Sequence, residues 1–172
     1  PDQQRKLMAV IQDDVERLDR LISDISDASR LDAELSRAET APVDLGKMLS
    51  TLADIHTHTA HDGAPQLMVN VQGEVQVIGM EDRLVQVFRN LITNAVSFSP
   101  PSSPLQSAVI RLAAWRDNGS ALITVQDQGP GIPPGKELDI FNRFYTERPE
   151  AEEFGRHSGL GLAISKQIVE AH

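Results

Sequence analysis

The sequence predicts an α+β fold in which a mixed sheet is covered on one face by helices, the whole preceded by a long separate helix. Apolar residues repeat every seven positions near the start, at Ile11, Leu18 and Ile25. Short β-rich runs such as Ala121-Leu122-Ile123-Thr124-Val125 sit beside strong turn signals, and stretches of helical period separate them. At 172 residues the chain is long enough for one such helix and one compact domain with a real core.

Residues 3 to 36 read as one helix. Val15 with Ile22, and Leu21 with Ala28, form stripes beside the first, and an apolar face that wide needs more than one neighbour. Ala41-Pro42-Val43-Asp44 breaks this helix and marks a domain boundary, dividing the chain into residues 1–40 and 41–172. Asp44 can cap a second helix over about residues 45 to 60. Residues 66 to 71 and 75 to 79 read as a hairpin around Gly73. Residues 81 to 98 form a helix with Leu84, Val87, Phe88 and Leu91 toward the core, and Pro100, Pro101 and Pro104 then force a loop. Residues 108 to 115 and 120 to 126 make a second hairpin around Asn118-Gly119. Residues 133 to 158 are too long for an ordinary turn and read as a mobile lid over a ligand, anchored by Ile140-Phe141-Asn142-Arg143-Phe144-Tyr145. Leu162, Ile164, Ile168 and Val169 give the last segment a helical period.

Composition excludes several classes. A formal charge of -9 without a basic run argues against direct nucleic-acid binding. The chain has no cysteine, hence no disulfide, which fits a reducing compartment. It has no apolar run able to cross a bilayer and no signal peptide, so any membrane span lies outside these residues.

The chemistry is concentrated in three short strings. Asn90 and Asn94 are one helical turn apart, which puts both amides on one face. Two neutral oxygens suit a magnesium ion that already carries a triphosphate, because magnesium takes one or two protein groups plus phosphates and water. That spacing alone says little. Asp127-Gln128-Gly129-Pro130-Gly131 follows a strand-like run. Asp127 can accept a hydrogen bond from an exocyclic amine such as that of adenine, and Gly129 and Gly131 let the backbone approach a flat base; the plain alternative is a strand ending in a turn. Ser158-Gly159-Leu160-Gly161 opens the last helix, where backbone amides and the helix dipole favour phosphate, unless the glycines only permit tight packing.

In this order the asparagine box at 90–98, the glycine box at 127–131, the phenylalanine box at 141–145 and the second glycine box at 159–161 resemble the nucleotide-binding domain of bacterial sensor histidine kinases. That domain has the Bergerat or GHKL fold, a two-layer α/β sandwich shared with gyrase, the ninety-kilodalton heat-shock protein and the mismatch-repair ATPases. Longer strings, such as Ile22-Ser23-Asp24-Ile25-Ser26-Asp27-Ala28-Ser29-Arg30-Leu31 and Ser165-Lys166-Gln167-Ile168-Val169-Glu170-Ala171-His172, look like the ChvG-type envelope-sensing kinases of alphaproteobacteria.

The resemblance implies ATP and Mg2+ as cofactors, with Asn90 and Asn94 on the metal and Asp127, Gly129, Gly131, Arg143, Tyr145, Gly159, Leu160 and Gly161 on the nucleotide. It implies transfer of the γ-phosphoryl group to a histidine and relay to a response-regulator aspartate. Residues 1–40 would be the second helix of a dimerisation and phosphotransfer hairpin, forming a homodimer within the cytoplasmic portion of an inner-membrane sensor. The hydrolases of the superfamily carry a glutamate base where this chain has Asn90. An amide cannot take a proton from water, whereas a neutral imidazole is already a nucleophile, so the substitution favours phosphoryl transfer to histidine over hydrolysis.

Departures from the family pattern are also visible. None of the five histidines stands in H-E/D-x-x-x-P, so the acceptor helix is expected outside this chain. The family's further strands would follow His172. Ser97 and Thr146 stand where many members have a cation; Arg143, Arg148 or Arg156 could replace it, although a surface salt bridge explains Arg143 equally well. A GHKL-type ATPase and a degenerate, non-catalytic dimerisation or binding module are the alternative functions.

Overall fold

The computed structural model describes residues 39–61, 63–100, 108–145 and 159–172, together with Gln4, Leu7, Met8, Ile11, Gln12, Val15, Leu18, Ile22, Ile25 and Ser26. The chain divides into two compact units, one of residues 38–134 with His172 and the other of residues 1–37 with 135–171. Expectations for residues 27–36, for Pro101 and Pro104 and for residues 146–158, with Arg148, Arg156 and His157, fall outside the described residues.

The larger unit contains strands β1 (Ala41–Asp44), β2 (Gln66–Val71), β3 (Gln76–Gly79), β4 (Val109–Asp117) and β5 (Ser120–Gln126). Its helices are α1 (Leu45–Thr59) and α2 (Glu81–Phe98). Strands β2, β4 and β5 form one sheet, with β2 parallel to β4 and β4 antiparallel to β5. The sheet is therefore mixed, as expected. The register sets Leu67, Val69 and Val71 opposite Ile110, Leu112 and Ala114. Those three β4 residues are fully buried. Helix α1 packs against β2 and β4, and α2 packs against β5 and α1, so both helices serve the same apolar face.

Local chemistry explains the ends of these elements. The Asp44 carboxylate accepts from the Lys47 amide at 3.0 Å, so it caps α1 as its position suggested. Asn118 and Gly119 both have positive φ, 48° and 87°, which is the backbone a two-residue hairpin turn needs between right-twisted strands. On α2, Leu84, Val87 and Phe88 are buried with Ile92 and Ala95, while Leu91 is half-buried.

The expected hairpin of residues 66 to 79 does not form. β2 pairs with β4, and β3 pairs antiparallel with β1 in a separate two-stranded sheet, Ala41 opposite Gly79 and Asp44 opposite Gln76. Gly73 does turn the chain, with φ of 72°, but it joins strands of different sheets. The physical reason is burial. The apolar side of β2 is covered only when β2 lies beside β4 under α1, and a turn signal cannot specify that distant partner. The Ala41–Asp44 segment, read as a break, is likewise a strand; Pro42 is tolerated because, among the described residues, β1 is bonded on one edge only.

In the smaller unit, Asp139–Phe141 is a single 3-10 turn and α3 spans Gly161–Ala171. Ile164 and Ile168 of α3 are buried, as is Leu160 just before it, and α3 packs on the 3-10 turn. The described residues of the N-terminal segment are helical. Leu7, Met8, Ile11, Val15, Leu18, Ile22 and Ile25 are each between 48% and 67% exposed. From Met8 onward these positions alternate three and four residues apart, the spacing of a coiled-coil seam.

Leu112→Ala should lower the stability of the larger unit by about 2–5 kcal/mol, the usual cost of truncating a fully buried leucine. Urea unfolding followed through the emission of Trp115, the single tryptophan, measures it. A loss below about 1 kcal/mol would mean that β4 does not line the core.

Candidate functional site

Helix α2 carries Asn90 and Asn94 one turn apart, both half-buried, between exposed Arg89 and Thr93 and the buried pair Ile92 and Ala95. The helix is secured at its C-terminal end by side chains that take up its last carbonyls. Ser97 Oγ donates to the Asn94 carbonyl at 2.8 Å, and Ser99 donates to the Ala95 carbonyl through both its amide and its hydroxyl, at 3.0 and 2.7 Å. Ser97, noted in the sequence only for not being a cation, thus bonds to the backbone of Asn94.

Asp127 is the first residue beyond β5 and is exposed. Its Oδ1 accepts from the Gly129 amide at 2.7 Å, an Asx turn that holds the carboxylate in one orientation. Gly129 itself lies against the end of α2. A Cβ at that position would stand 2.7 Å from the Phe98 carbonyl oxygen and 2.9 Å from Asp127 Oδ1, so any side chain would push the turn away from the helix. Gly131 needs no such room, since nothing lies within 4 Å of a Cβ there, but its φ of 79° is left-handed backbone. Gln128, which the sequence reading did not single out, accepts from the Val109 amide through its Oε1 at 3.0 Å. The structure therefore brings Gly129, and with it the turn that begins at Asp127, to the C-terminal end of the helix that carries Asn90 and Asn94.

The smaller unit holds the other candidate residues. Arg143 is exposed and Tyr145 half-buried. Between them, the Phe144 amide donates to the Gly159 carbonyl at 2.9 Å, and both residues have left-handed backbone, with φ of 65° and 68°. A Cβ on Gly159 would come within 2.8 Å of Phe144 Cα and 2.9 Å of the Tyr145 carbonyl oxygen. The phenylalanine box and the second glycine box are thus clasped backbone to backbone. For a phenylalanine this conformation costs on the order of 1–3 kcal/mol, and it persists because the Gly159 contact holds it. No sequence signal marks Phe144 for this role, whereas Gly159 could have been read as a tight contact. Leu160 is buried and its carbonyl accepts the Ile164 amide at 2.9 Å, starting α3; Ser165 Oγ donates to the Gly161 carbonyl at 2.8 Å. Lys166 Nζ lies 5.8 Å from the Phe141 ring centroid.

Three of the described histidines have structural side-chain bonds. His56 Nε2 bonds the Pro65 carbonyl at 2.9 Å, His58 Nδ1 bonds the Asp54 carbonyl at 2.7 Å, and His172 Nε2 accepts from the Met80 amide at 2.9 Å. Among the described residues no group of three His, Cys, Asp or Glu side chains could hold a metal.

Residues 79–172 match the family described as histidine kinase-, DNA gyrase B-, and HSP90-like ATPase. Over 99% of its length the chain is 48% identical to the sensor protein ChvG of Rhizobium meliloti, of which it spans 30%. The solved structure of the mycobacterial sensor histidine kinase MprB is similar at a TM-score of 0.62 and 32% identity, over 77% of this chain and 80% of that one. The Acinetobacter baumannii histidine kinase AdeS, at a TM-score of 0.70 and 20% identity over 96% of this chain and 73% of that one, shares the fold. The expected two-layer ATP-binding fold is borne out, and this chain belongs to the histidine kinase-, DNA gyrase B-, and HSP90-like ATPase family.

Proposed function

We propose that this chain is the catalytic portion of a sensor histidine kinase that binds Mg-ATP and passes the γ-phosphoryl group to a histidine outside these residues, for relay to an aspartate of a response regulator. The observation that supports the reading is the contact of Gly129 with Phe98, which seats the turn that begins at Asp127 against the helix carrying Asn90 and Asn94. One Asp127 oxygen is engaged by the Gly129 amide, and the other suits the exocyclic amine of adenine. Asn90 and Asn94 supply neutral oxygens one turn apart, a donor set that fits a magnesium ion arriving with its phosphates better than a cation needing a carboxylate cage. When bound, magnesium neutralises charge on the transferring phosphoryl group. Gly159, Leu160 and Gly161 at the start of α3 would hold phosphate oxygens, with Tyr145 beside them and Arg143 as the cation.

An ATPase of the gyrase type would need a base at position 90, and an amide there leaves water unactivated. Phosphoryl transfer to imidazole has no such need. Residues 1–40 serve in this reading as the second helix of the dimerisation hairpin, and residues 41–172 as the ATP-binding domain. The exposed stripe Met8, Ile11, Val15, Leu18, Ile22 and Ile25 supports a homodimer, because an apolar seam of this length is stable in water only when another helix covers it. The intact protein would place this chain on the cytoplasmic side of an inner membrane; among the described residues no helix is long and apolar enough to cross one.

Asp127→Ala should weaken ATP binding about ten- to a hundredfold by calorimetry, the loss of a hydrogen bond to a charged acceptor, and unchanged affinity would refute the adenine role. Asn94→Ala should leave ATP binding that no longer tightens on adding magnesium; a retained magnesium effect would remove this residue from the metal site. Leu18→Asp combined with Ile25→Asp should convert a dimer to a monomer in light scattering. A dimer that survives both changes would place the interface elsewhere.

A further inference from the structure

We infer that Gln128 is a positioning residue for Asp127, its side-chain carbonyl replacing a main-chain carbonyl of the sheet so that the chain can leave β5 at the residue that reads the base. The inference rests on the proposed adenine role of Asp127. The register of the β4–β5 ladder sets Arg111 opposite Gln126, and that register, continued by two residues, would set Val109 opposite Gln128. Yet β5 ends at Gln126 while β4 begins at Val109. On its other side β4 pairs with β2, with Val109 opposite Gln66. The Val109 amide would therefore lose its ladder partner where β5 turns away, and a main-chain donor left without that partner turns to water or to the next acceptor the chain offers. Gln128 Oε1 accepts from that amide at 3.0 Å.

With the ladder bond supplied by a side chain, the main chain of 127–129 is released from the sheet. It is then fixed at two other points, the Asp127 Oδ1 bond to the Gly129 amide and the seat of Gly129 beneath the Phe98 carbonyl. Removing the acceptor lets the main chain of residue 128 compete for the Val109 amide. That continues β5 by two residues and carries the Asp127 carboxylate with it. The position between Asp127 and Gly129 is therefore selective for a side chain long enough to reach Val109 and able to accept.

Calorimetric titration with ATP and with GTP, in the presence of magnesium, tests this on the unmodified chain and on Gln128→Met, Gln128→Glu and Asp127→Asn. Methionine keeps the length without a strong acceptor, and glutamate keeps the acceptor. Both nucleotides carry the same charge, so the ratio of their affinities cancels any electrostatic effect of the glutamate. The expected result is an ATP-to-GTP preference reduced about three- to tenfold in Gln128→Met, kept within about twofold in Gln128→Glu, and lost in Asp127→Asn. Gln128→Met retaining the full preference while Asp127→Asn loses it would overturn the role of Gln128 and leave the adenine reading standing. Equal losses in Gln128→Met and Gln128→Glu would also overturn it, since acceptance would not be what matters. An unchanged preference in Asp127→Asn would refute the adenine reading, and this inference with it.

Discussion

The carbonyl of Phe98 lies where a side chain at position 129 would go, and most of the candidate site follows from that contact. It seats the turn after β5 against the end of α2, so a residue that ends a strand and two residues on a helix share one frame. A larger residue would have to move the turn or the helix end, since a backbone carbonyl cannot rotate away as a flexible side chain can. The serine hydroxyls at 97 and 99 reinforce the same helix end by bonding the carbonyls of Asn94 and Ala95. The asparagines are thus carried on a helix whose last turn is fastened by its own side chains and buttressed by the neighbouring turn.

A similar device recurs in the smaller unit. Gly159 has no room for a Cβ because Phe144 and Tyr145 pass directly over it, and the hydrogen bond between Phe144 and Gly159 closes the contact. The left-handed phenylalanine is the counterpart of the glycine's own positive φ. In both places a glycine that the sequence pattern associates with a ligand is required first by the protein's own backbone. These two demands are compatible. A site that holds its geometry before any ligand arrives needs close main-chain packing around its residues.

Much of the fold was legible because its signals are local. Asp44 caps the helix that follows it, and Asn118-Gly119 makes the turn that the dipeptide specifies. Asn90 and Asn94 share a face simply because a helix repeats every 3.6 residues or so. The failures were non-local. Gly73 marks a real turn, yet the strands on either side of it find partners more than thirty residues away in β4 and in the segment before α1. Pro42 discouraged a strand that edge pairing permits. Within the site, the residue types of Asp127, Gly129 and Gly159 were readable, but the reasons for them were not. The contact of Gly129 with Phe98, the left-handed Phe144 and the Gln128 bond to Val109 all depend on elements distant in sequence.

In the proposed function two neutral amides and one carboxylate do separable work, the amides for a phosphate-bound cation and the carboxylate for a purine amine. A crystal structure of this chain with magnesium and a non-hydrolysable ATP analogue tests that division most directly. The proposed function predicts the adenine amine within hydrogen-bonding distance of Asp127 and the metal at about 2.0–2.1 Å from an asparagine oxygen of α2. A nucleotide bound with its base away from Asp127, or a metal held by residues other than Asn90 and Asn94, would contradict it.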